Sequence, residues 1–211
     1  MMAESQKFRR PAMLDAGFAA AIPGGLDPAR RDEVAHLTAQ AIVSQGRAAT
    51  DPEVVKRLIH LVDDEGIEAV ASLWADAPAI SLPGALWRLY ALRLWTGHDP
   101  AAAVVWYRLG EPAAPVRHAV VGVAEPPTPE HLLQLVDEVL SGVYRGDLAG
   151  ALERAGAYAR VLATGMALDA DNRDLTDHSQ GSAITKSAAN LQRTAHELEQ
   201  AAGQYRQGIL E

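Results

Sequence analysis

Apolar residues recur along this chain at steps of three and four, and the pattern is cleanest towards its end. Ile184, Ala188, Leu191, Ala195, Leu198, Ala202, Tyr205 and Ile209 alternate steps of four and three, which lines them along one face of a helix. Large side chains hold one core position and alanine the other until Ile209, a heptad pattern that lets a neighbouring helix approach closely. Leu148, Leu152, Ala155, Ala159, Leu162 and Met166 repeat the spacing with alanines of their own. Two such stripes predict an antiparallel, alanine-rich, coiled-coil-like helix pair. Packing within the chain is the first expectation, but the C-terminal seam, through Ile184, Leu191, Leu198 and Tyr205, could also join two chains, so self-association stays open at this point. A polar stretch, residues 169–181, separates the two stripes, and Leu132, Val136, Val139 and Val143 form another seam ahead of them.

Stripes in the first half are shorter. Residues 27–45 should turn Val34, Leu37, Ala41 and Ile42 inward, with Gly46 closing the helix. From Asp51 onward, Val54, Val55, Leu58, Ile59 and Val62 share one stripe up to Gly66, and a short helix continues through Val70, Ala71 and Trp74. Residues 82–95 are apolar almost all round, as expected of a helix inside a bundle. A further helix should run from Asp99 through Val104, Val105, Trp106 and Tyr107.

The punctuation agrees. Asp27-Pro28, Asp51-Pro52, Ser81-Leu82-Pro83, Asp99-Pro100 and Thr128-Pro129 each stand ahead of an apolar run. Asp, Ser and Thr side chains accept hydrogen bonds from the free N–H groups that open a helix. Proline is tolerated in the first turn, where its missing N–H had no partner. The expected fold is therefore all-α, a multi-helix bundle of two packed lobes. A flexible N-terminal arm (1–26), hinged at Pro23-Gly24-Gly25, precedes a tryptophan-rich helical lobe (27–110). A proline-rich connector with one short helix (111–127) then leads to a helical bundle lobe with the heptad helix (128–211).

Composition narrows the function. Cysteine is absent from the 211 residues, which removes disulfides, thiol nucleophiles and zinc–thiolate sites and fits a reducing cytoplasm. The net charge of −8 divides unevenly, with 11 Lys/Arg and 13 Asp/Glu in residues 1–110 against 8 and 14 in residues 111–211. Neither half has the basic surplus that phosphate neutralisation demands, so nucleic acid is not an expected partner. No run of about 18 apolar residues exists to span a membrane. Lys7, Arg9 and Arg10 ahead of residues 12–22 have the order of a signal peptide, but Asp15 interrupts the apolar part.

Candidate chemistry is sparse. His98-Asp99, with His60 and Asp137, has the residue types of a helical metal-dependent phosphohydrolase, yet Asp99 is already placed to cap a helix. Asp169, Asp171, Asp174 and Asp177 carry carboxylates at calcium-like spacing, but Arg173, Asp174 and Gln180 stand where such a loop needs oxygen, glycine and glutamate. A solvated acidic loop is expected there. Gly66 between two helices suggests a DNA-reading turn, but the following helix carries Glu68 and Asp76 and no base. No metal site, catalytic set or cofactor motif emerges.

Arg88 and Arg93 stand out because they interrupt an apolar helix, and buried guanidinium groups need partners. Asp63, Asp64, Glu65 and Asp76 are the candidates. Five residues apart, the two arginines lie about 140° around the helix and should not converge on one anion. With Trp87, Tyr90 and Trp95 they form the candidate ligand-binding set.

Residues 81–90 (SLPGALWRLY) and 122–130 (GVAEPPTPE), with Gly146-Asp147-Leu148-Ala149 beyond, resemble segments of uncharacterised helical proteins of high-GC actinobacteria. The resemblance covers residues 27–165 and implies a bacterial cytoplasmic setting, with no activity attached. Two functions follow as expectations. One is a non-catalytic cytoplasmic helical protein that acts through a protein partner or as a homodimer. The alternative is a small-molecule-binding helical bundle, regulatory or enzymatic, with its pocket near the tryptophans.

Overall fold

A computed structural model describes residues 27–114, 127–174 and 178–211, and these are helical throughout apart from turns. In chain order the helices are α1 (Pro28–Ala48), α2 (Pro52–Ile59), α3 (Leu61–Glu65), α4 (Ile67–Trp74), α5 (Leu82–His98), α6 (Pro100–Gly110), α7 (Pro129–Tyr144), α8 (Leu148–Asp174) and α9 (His178–Gln207). The arm at 1–26 and the short connector helix lie outside the described residues.

Five helix starts follow from side-chain caps. Asp27, Asp51, Ser81, Asp99 and Thr128 accept, through their side-chain oxygens, the N–H groups of Ala29, Glu53, Gly84, Ala102 and His131. At α7 the cap is reciprocal, since the Thr128 N–H donates to His131 Nδ1 at 3.3 Å. Each such cap contributes about 1 kcal/mol.

Helices α8 and α9 form an antiparallel hairpin. Leu148, Leu152, Ala155, Ala159, Leu162 and Met166 are buried, as are Ala188, Ala195, Leu198 and Ala202 opposite them. Ion pairs stitch its edges: Arg160 with Glu199 (Nη2 to Oε2, 2.5 Å), and Arg206 with Glu153. Helix α6 crosses α8 where Gly110 and Gly165 let the two backbones meet, and a Cβ on either glycine would strike the other helix. Helix α5 runs through the centre, with Leu86, Leu89 and Tyr90 buried. The buried side chains form one cluster that reaches from Ala35 in α1 to Ala202 in α9.

Four expectations are corrected. Helix α1 does not bury Val34, Leu37 and Ala41: Val34 and Leu37 are 43% and 58% exposed, and Ala41 is exposed too. Its inner face is Ala35, Ala39, Val43 and Gly46, because small residues let α1 come close; Gly46 lies directly against the Tyr144 ring. The stripe from Asp51 is not one helix but breaks at His60. At that break the Leu58 carbonyl accepts the Tyr90 hydroxyl at 2.5 Å. The expected acidic loop is helical as far as Asp174, since Asp169 is buried and accepts from Trp106 Nε1 and Arg173 Nε. Ile209 lies beyond the end of α9 and is exposed, while Leu210 packs on the core. Gly208, at φ +71°, turns the chain there.

Candidate functional site

Three of the five residues singled out on α5 share a groove. Trp87, Arg88 and Trp95, with Ala91, line a cavity of about 370 Å³ between α5 and α9. Positions 87, 91 and 95 fall on one helical face at steps of four. The ring of Trp95 stacks on Trp106 of α6, centroids 5.6 Å apart and planes 18° from parallel. Trp106 is in turn fixed by its indole N–H, which donates to Asp169 Oδ2 at 2.9 Å. Hydrogen bonds from Trp106 and Arg173 overcome the opposing effect of burial and hold the Asp169 carboxyl below its usual range. The tryptophan floor is therefore braced from behind.

Helix α9 supplies the opposite wall, and sequence reasoning missed it. Ser187, Asn190, Leu191 and Thr194 line the cavity at steps that form one face. Arg193 and Glu197 flank them. Arg88 donates through Nε to Glu197 Oε2 at 2.6 Å and through Nη1 to the Gly84 carbonyl at 2.9 Å. The four acids considered as its partners all lie upstream of α5; Glu197 lies far downstream, and nothing in local spacing points to it.

Tyr90 and Arg93 lie elsewhere, in a polar cluster that ties α5 to α2, α3 and α7. Arg93 donates through Nε to Asp137 at 2.6 Å and through Nη1 to Asp63 at 2.7 Å. Its Nη2 stands 2.6 Å from His60 Nδ1. A guanidinium only donates, so Nδ1 accepts and the ring proton belongs on Nε2. Burial works against charge at Arg93, but the two carboxylates outweigh it and hold its pKa above the ordinary value. At Asp63 burial is likewise outweighed, by the hydrogen bond and the charge of Arg93, and the carboxyl sits below its usual range.

Beside this cluster the hydroxyls of Tyr90 and Tyr144 bond each other, and Tyr90 passes its proton bond to Leu58 O. The Trp74 ring packs 6.1 Å from Tyr90, and its indole N–H donates to Thr38 at 3.0 Å. Burial pushes Tyr90 up to about 12 and Tyr144 well above the usual tyrosine value.

The seam residues lie along the hairpin. Leu198 is fully buried within the chain, and Leu191 and Tyr205 pack partly buried against the core. Ile184 is half-buried. The Tyr205 hydroxyl accepts from Arg47 Nη2 at 2.9 Å. Asp99 caps α6, and His60 and Asp137 are drawn together by Arg93. Among the described residues no group of three or more His, Asp or Glu is placed to hold a metal ion. Nor, among them, is any helix long and apolar enough to cross a membrane. No protein-family model, curated protein or solved structure matches the chain.

Proposed function

We propose that this chain is a non-catalytic binding protein whose site is the α5–α9 groove and whose ligand is a small molecule with a planar apolar body. The observation that carries this is the pair Trp87 and Trp95 on one face of α5, lining a cavity of about 370 Å³ and backed by the stacked Trp106. Cavities of about 300–1,000 Å³ that combine aromatic walls with a few polar groups suit ligands of this kind. Indole faces favour offset stacking with other rings. A cytoplasmic setting, expected from the cysteine-free composition and the actinobacterial resemblance, belongs to the same reading.

The test is a titration with uncharged naphthamide, followed by quenching of tryptophan emission. Binding should weaken about tenfold in Trp87→Ala, the loss expected when one stacked wall worth about 1.4 kcal/mol is removed. Circular dichroism should show the variant still folded. Undiminished binding by a folded Trp87→Ala protein would place the site elsewhere and end this reading.

A second reading, docking of a protein partner, is supported by Val34 and Leu37, two large apolar side chains exposed one turn apart on α1.

A further inference from the structure

The α5–α9 groove differs in charge from the molecule around it. The chain carries a net charge of −8, yet the groove is lined by two cations, Arg88 and Arg193, against one acid, Glu197. Glu197 bridges the two guanidinium groups. Arg88 Nε donates to its Oε2 at 2.6 Å, and Arg193 Nε stands 3.9 Å from its Oε1. One carboxylate between two cations leaves a surplus of one positive charge.

The other polar groups add donors. Arg88 engages Nε and Nη1, so the N–H groups of Nη2 are left over. Arg193 Nη2 donates to Asn190 Oδ1 at 3.1 Å, which occupies the acceptor end of that amide and leaves its NH2 end as a donor. Thr194 lines the same cavity with a hydroxyl. Guanidinium groups match carboxylates in planarity and fork spacing, and such charge-assisted bonds are the strong ones. Glu197 already illustrates how Arg88 holds a carboxylate at this site.

Resting on the reading of the groove as the binding site, we propose that its ligand is a small aromatic carboxylate. Its ring lies against Trp87 and Trp95, and its carboxylate takes the remaining N–H groups of Arg88 and Arg193.

Calorimetric titration of the full chain with naphthoate, uncharged naphthamide and naphthylmethylammonium tests this, because the three share a ring system and differ in charge. Naphthoate should bind about tenfold more tightly than the amide, as one hydrogen-bonded charge pair allows, and the cation should bind most weakly. In Arg193→Gln the preference should fall to about twofold or less. That side chain is 67% exposed, so the melting temperature should hold and serve as the folding control. Raising salt from about 50 to about 500 mM should weaken naphthoate and leave the amide unchanged. Equal affinity for naphthoate and naphthamide, preference for the cation, or a full preference surviving in Arg193→Gln overturns the carboxylate inference and leaves the groove reading in place. Failure of all three compounds to bind overturns both.

Discussion

Arg93 is the residue on which the polar interior turns. Its side chain is only 10% exposed, whereas its partners Asp63 and Asp137 keep 43% and 32% of theirs in contact with water. That asymmetry decides what each deletion does. Arg93→Met leaves two carboxylates that can rehydrate and fills the space with an apolar chain, so the cost should be about 1 kcal/mol. Replacing Asp63 and Asp137 together by Ala strands a buried guanidinium with only His60 as acceptor, and should cost about 3 kcal/mol. Urea denaturation of the two proteins gives the comparison, and the reverse order of stabilities would contradict the cluster as described. Arg93 was legible as a residue needing anions, and Asp63, thirty residues earlier, was among the candidates. Asp137 and His60 were not recognised as partners, since only the packing of α7 and of the α2–α3 break against α5 brings them there.

At the scale of elements, most helices could be read from the chain because caps and stripes act locally. Errors arose where close approach replaced bulk. Helix α1 carries Val34 and Leu37 in positions that look inward, but the face that packs is the one lined by Ala35, Ala39 and Gly46. Periodicity weighs size, and a close contact selects against it. The α6–α8 crossing is the sharpest example, since a Cβ on Gly165 would run into the backbone of Trp106 and one on Gly110 into that of Val161. Gly165→Ala should therefore force the helices apart and cost about 3 kcal/mol, the scale of overpacking in a tight core. Gly203 sits within α9 with nothing near the position of a Cβ. Gly203→Ala should stabilise the protein by about 0.5–1 kcal/mol, because it removes unfolded-chain freedom without strain. Thermal melts of the pair distinguish a crossing built on glycine from a general tolerance of alanine.

For the whole molecule, the groove and the polar cluster lie on different sides of α5, which acts as the shared spine. The candidate site was half legible: Trp87, Arg88 and Trp95 follow from their spacing on that helix, but the α9 wall depends on how a distant hairpin docks. The other side of the spine sets a response to alkali. Tyr90 joins α5 to α2 through Leu58 and to α7 through Tyr144, and burial holds both hydroxyls neutral beyond the ordinary tyrosine value of 10.0. A folded-state pKa raised above the unfolded one contributes stability that is complete below the unfolded value and is lost as pH climbs through the folded one. For Tyr90 that window runs from 10.0 to about 12. The protein should keep its full stability up to about pH 10 and lose it steeply above, with tyrosinate absorbance from these side chains appearing together with unfolding. In Tyr90→Phe the hydroxyl that titrates is gone, so the alkaline slope should flatten while stability at neutral pH drops by about 1–2 kcal/mol for the two hydrogen bonds lost, to the Leu58 carbonyl and the Tyr144 hydroxyl. Tyrosinate absorbance rising smoothly near pH 10 in the folded protein, with no residues held back, would show these hydroxyls in water and dissolve the tie between the three helices.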